Sequence, residues 1–216
     1  MSLLRYLPLL CMLNASVSFA QEPAVIKDSA LAPKVSDNAV KDSAASPVKV
    51  APVRYVKEMN SYLPPVASAI QLSPYYDYPE AAAAAKKLKK PLILYFTGIT
   101  NNNARMMEKK VWSNPTVAKM LREDFVIAFL YCDEKQLELP VRQQYYSKYI
   151  HKQIIHIGDK NQDFQGSRYG TNGQPMMYFV NDDFTKILPE PLAHNVDVPR
   201  FIEYLNKVKE VYASTH

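Results

Sequence analysis

Apolar positions are spread unevenly along the chain. Residues 21–61 show no hydrophobic periodicity, whereas from Tyr62 onward apolar runs and amphipathic stretches alternate. Residues 78–89, rich in alanine and ending in lysines, read as a helix. The continuous apolar run at 92–96 reads as a strand covered on both faces. A helix is predicted from about 103 to 111. Ser113-Asn114-Pro115-Thr116 then restarts the chain with a capping residue before a proline at the first helical position. That next helix carries Val117, Met120 and Leu121 at core spacing, and 125–132 is a second covered strand. The long polar segment 133–173 offers only a short helix at 142–149. Beyond it, a strand is predicted at 176–181, a turn at Asp182-Asp183 and a strand at 186–188. The final helix, about 199–212, aligns Phe201, Leu205, Val208 and Val211 or Tyr212 on one face. The order βαβ followed by ββα predicts an α/β domain, a central mixed sheet flanked by helices.

The first twenty residues read as a cleavable export signal. Arg5 is followed by the apolar run 6–13, and Ser18-Phe19-Ala20 places small residues before Gln21. That run is too short to span a bilayer. Cys11 is preceded by bulky Leu10, which argues against a lipid anchor. Residues 21–61 combine Ala, Ser, Pro, Val, Lys and Asp, and Lys27 to Pro33 recurs loosely as Lys41 to Pro47. Such a composition predicts a disordered spacer ahead of a folded domain at 62–216. The implied address is the periplasm or the exterior.

Charge and composition remove several function classes. The formal charge of +5 is modest, and Lys86, Lys87, Lys89 and Lys90 sit where they complement a helix dipole. No basic face with aromatic partners suggests nucleic acid. The four histidines have no companions at metal spacing, so neither a metal nor a cofactor is expected. No phosphate loop or hydrolase signature is present. Removal of the signal leaves one cysteine, Cys132, which rules out an internal disulfide. Tyr75, Tyr76 and Tyr78, with Tyr145, Tyr146 and Tyr149, either form an aromatic surface or lie under the long loop.

Between the strand at 92–96 and the following helix lies Thr97-Gly98-Ile99-Thr100-Asn101-Asn102-Asn103. Three segments occur together: Lys90-Pro91-Leu92-Ile93-Leu94-Tyr95-Phe96-Thr97-Gly98, then Arg105-Met106-Met107-Glu108, then Val111-Trp112-Ser113. Further along come Asp163-Phe164-Gln165, Arg168-Tyr169-Gly170 and Gln174-Pro175. These motifs, from about 79 to 212, resemble the C-terminal thioredoxin-like domain of DsbD-type transmembrane disulfide reductases and related exported proteins. The resemblance implies a thioredoxin-like fold, a Gram-negative periplasm, and a cis peptide bond before Pro175 facing the turn. It also implies Cys-x-x-Cys at positions that here hold Asn101 and Ala104.

Dithiol exchange needs a thiolate at a helix start and a second thiol one turn later. An amide and a methyl group supply neither. Asn101, Asn102 and Asn103 either cap the helix or, with Ala104 and the facing Gln174-Pro175, bind a carboxylate or an extended peptide. Trp112 is expected in the core. Three functions follow: a non-catalytic module holding a peptide or protein partner, a disulfide-handling enzyme using Cys132 or a partner's thiols, or a purely structural subunit. The first agrees best with a retained scaffold that has lost its redox pair.

Overall fold

A computed structural model describes residues 55–215; the segment read as an export signal and most of the segment read as a spacer lie outside the described residues. The central sheet contains β1 (Leu92–Thr97), β2 (Val126–Tyr131), β5 (Met176–Val180) and β6 (Leu192–Ala193) in the order β2-β1-β5-β6. Strand β1 runs parallel to β2 and antiparallel to β5, and β5 runs antiparallel to β6. The mixed, helix-flanked sheet is the expected thioredoxin-like fold.

Alternation along the strands sorts two cores. Ile93, Tyr95, Ile127, Phe129, Met177 and Phe179 face one side. There they meet α4 (Asn102–Met107), the single π turn Glu108–Trp112, α5 (Pro115–Asp124) and α7 (Val198–Thr215). Leu92, Leu94, Phe96, Ala128, Leu130 and Val180 face the other side. They are covered by α3 (Tyr78–Leu88) and α6 (Ile157–Tyr169). Strands buried on both faces are continuous apolar runs for this reason. Trp112 is buried in the first core, as expected.

Two short helices, α1 (Val56–Ser61) and α2 (Pro65–Ala69), precede α3. Met59 of α1 is buried in the first core, so packed structure begins N-terminal to Tyr62.

Helix α6 lies within the segment 133–173, where hydrophobic periodicity gives no sign of it. Its buried residues include Asp159, Asn161, Asp163 and Gln165. Each finds a polar partner, as burial demands. The Asn161 amide donates to the Tyr131 carbonyl at 3.0 Å, and Gln165 donates to the Gly173 carbonyl at 2.8 Å. Asp163 accepts from Tyr145 at 2.6 Å and also from Ser147. Asp159 accepts from Lys152 at 2.8 Å and from Lys135. A Cβ at Gly158 would lie 2.2 Å from the Glu134 carbonyl oxygen, so the helix approaches this closely only with glycine there.

Two local expectations are corrected. Residues 142–149 do not form a helix: a 3-10 turn at Val141–Gln143 leads into β3 (Tyr145–Ser147), paired with β4 (Lys152–Ile154). The Ser147 hydroxyl accepts from the Tyr149 and Ile150 amides, and His151 takes a positive φ, which closes the hairpin. Residues 186–188 make only an isolated bridge from Lys186 to Val180. Pro189 and Pro191 lack the amide donors needed to extend it, and pairing resumes at Leu192–Ala193.

Candidate functional site

The turn after β1 is built from its own backbone and one distant carboxylate. Asp133, just beyond β2, accepts from the Ile99 amide at 2.7 Å, the Thr100 amide at 3.3 Å and the Thr100 hydroxyl at 3.4 Å. A Cβ at Gly98 would lie 2.9 Å from Asp133 Oδ2, so a larger residue there would push the carboxylate from its seat. Asn101 is extended (φ −76°, ψ 101°), and its Oδ1 accepts from the Ala104 amide at 3.0 Å. It is the N-cap of α4. Asn102 and Asn103 are exposed, while Ala104 is buried. The donors that an exposed turn and a bare helix start would offer to an anion are therefore largely taken.

Gln174 and Pro175 are joined by a cis peptide bond, as expected. Phe96 of β1 pairs with Met176 of β5, so the turn after β1 and the loop before β5 lie at one end of the sheet. Thus the strand register gathers Asn101, Asn102, Asn103, Ala104, Gln174 and Pro175 at that end.

Beneath the turn sits a buried carboxylate, Glu108, whose environment residue spacing alone does not reveal. Glu108 Oε1 accepts from Tyr95 at 2.8 Å and from the Arg105 guanidinium at 2.7 Å, and Arg105 also donates to the Thr97 hydroxyl at 3.3 Å. This network ties α4 to β1. Glu108 Oε2 is buried with no protein partner among the described residues. Burial pushes the Glu108 pKa up to about 7, against the opposing pull of Arg105 and the Tyr95 hydrogen bond.

Cys132 lies on the other face of the sheet. It is buried, and its thiol donates to the Leu130 carbonyl at 3.5 Å. Burial, reinforced by the Asp133 charge, raises its pKa far above the ordinary thiol range. A nucleophilic cysteine needs exposure and a lowered pKa, and Cys132 has neither.

The tyrosines divide. Tyr76 is buried and Tyr78 stacks on Phe164 at 3.8 Å between ring centroids, whereas Tyr145, Tyr146 and Tyr149 are exposed around the β3–β4 hairpin. Among the described residues no group of three His, Cys, Asp or Glu side chains is placed to hold a metal ion. No described helix is long and apolar enough to cross a membrane.

A cavity of about 510 Å³ opens along the flank of α4, lined by Asn103, Met106, Met107, Lys109, Lys110 and His194. The sequence gives no hint of it, because His194 arrives from the far end of β6.

Residues 73–181 match the model of a family described as thioredoxin-like. The chain belongs to the thioredoxin-like family. No curated protein matches it. Among solved structures, this thioredoxin-like chain is similar to a DsbH oxidoreductase, with 13% identity over 66% of this chain and 88% of that one, at a TM-score of 0.47. A thioredoxin from Thermus thermophilus is 22% identical over 62% and 84% of the two chains, at a TM-score of 0.43. The oxidised C-terminal domain of DsbD from Neisseria meningitidis is 19% identical over 62% and 98%, at a TM-score of 0.41.

Proposed function

We propose that this chain is an exported thioredoxin-fold protein that holds an extended segment of a partner protein in the cell envelope, without thiol chemistry. The observation that carries the reading is the replacement at the turn. Asn101 serves as a helix cap and Ala104 as a buried methyl, on a strand–turn–helix frame otherwise intact. The binding face comprises the accessible side chains of Asn101, Asn102, Asn103 and Gln174 over the buried Ala104 and Pro175, with polar groups and a loop suited to an extended backbone. Residues 1–20 act as the signal and the stretch between them and α1 (Val56–Ser61) as a spacer that carries the folded domain to its partner, in the periplasm or outside the cell. Enzymatic use of Cys132 is disfavoured by its burial and its raised pKa.

The test is a titration of the isotopically labelled mature chain with S-alkylated insulin B chain, a model extended peptide that cannot exchange disulfides. Amide resonances of 101–104, Gln174 and Met176 are expected to shift together and saturate. No shift at those positions, or shifts confined to the β3–β4 hairpin, would refute the assignment.

A further inference from the structure

We propose that the flank of α4 beside His194 is a docking pocket for a partner segment in which one bulky apolar side chain is flanked by carboxylates; the inference rests on the peptide-binding reading and specifies its partner. The cavity there, about 510 Å³, is within the range of ligand pockets. Met107 is buried beside it, while Met106 is 69% exposed on a helix whose other apolar residues turn inward. Methionine is adaptable and suits surfaces that accept varied apolar groups.

The rim is basic. Lys109 and Lys110 both reach it, and neither has a carboxylate partner among the described residues. The neighbouring acid, Glu108, is turned into the core and committed to Arg105 and Tyr95. No Asp or Glu lines the cavity. The helix widens into its π turn at this point, a feature frequent at functional sites, and two consecutive lysines share one rim. Unopposed ammonium groups beside an apolar floor complement an apolar side chain with acidic neighbours.

The occupant is a protein segment rather than a lipid surface. Asn103 belongs both to the capped turn and to the cavity wall, so a peptide crossing the turn continues into the pocket. Membrane-binding basic clusters contain roughly four to eight Lys or Arg residues, and this rim presents two.

The experiment uses the mature chain and labelled nonapeptides with a central phenylalanine, flanked either by aspartates or by lysines. The acidic peptide is expected to bind about tenfold more tightly than its basic twin, and to weaken as salt rises. Lys109→Glu/Lys110→Glu should reverse that preference, and Met106→Ser should weaken the acidic peptide without changing its salt dependence. Equal binding of the twins, or an unchanged preference in the double variant, would overturn the proposal. If S-alkylated insulin B chain still shifts the amides of 101–104, Gln174 and Met176 in that case, the peptide-binding reading survives and only the acidic pocket fails. Lysine-dependent binding of phosphatidylglycerol vesicles without peptide binding would also overturn it. So would a dimer of this chain that Lys109→Glu/Lys110→Glu dissociates.

Discussion

Two positions near the C-terminal ends of β1 and β2 hold the separate halves of a thiol chemistry. The turn at 98–104 has the location, a strand-to-helix junction at the rim of the sheet, but Asn101 and Ala104 carry no sulfur. Cys132 has the sulfur, but it is buried on the opposite face with its pKa raised. Asp133 links the two: it follows the cysteine directly and holds the Ile99 and Thr100 amides of the turn. The contrast shows that reactivity belongs to an environment and a residue together. A thiol on this frame is not reactive merely because the frame is thioredoxin-like.

The largest expected effect tests the buried half. Iodoacetamide should alkylate Cys132 in the native chain at least about a thousandfold more slowly than in urea, because access requires opening of the core. Mass spectrometry reads the rates, and near-equal rates would break the contrast.

Next comes the acid beneath the turn. Glu108 has its pKa raised to about 7, from the ordinary 4.5, by burial. Between these values the folded chain keeps a proton that the unfolded chain releases, so stability is lost as pH rises through that window. The loss attributable to Glu108 is on the order of 3 kcal/mol. Urea unfolding at pH 5 and pH 8 should show it as the difference between wild type and Glu108→Gln, which has no carboxyl to titrate. An identical pH dependence in both proteins would contradict the role given to burial.

Asp133→Ala removes the acceptor of the turn amides and should cost about 2 kcal/mol. It should also speed hydrogen exchange at Ile99 and Thr100. Asn101→Ala removes the helix cap at about 1 kcal/mol, whereas Asn101→Asp should retain most of the stability. Thermal unfolding of the pair measures the smallest of these effects.

Legibility in the sequence followed the kind of force at work. Strands β1 and β2 stood out as unbroken apolar runs because both faces are covered, and α5 and α7 were readable from their apolar stripes. Helix α6 was not, since Asp159, Asn161, Asp163 and Gln165 fill its inner face and are satisfied by hydrogen bonds to distant groups. The β3–β4 hairpin is not legible in the sequence because the Ser147 side chain sets its turn. At the candidate site, the Asn101 cap and the turn's place in the chain were local and readable. The clamp by Asp133 and the cavity wall from His194 were not, because each joins residues far apart in sequence.

The measurement that tests the central claim most directly is insulin-disulfide reduction by the mature chain beside Asn101→Cys/Ala104→Cys. The account predicts no activity in the wild type and clear activity in the folded double variant, since the frame is present and only the thiols are missing. Reduction by the wild type, or a folded double variant that stays silent, would contradict it.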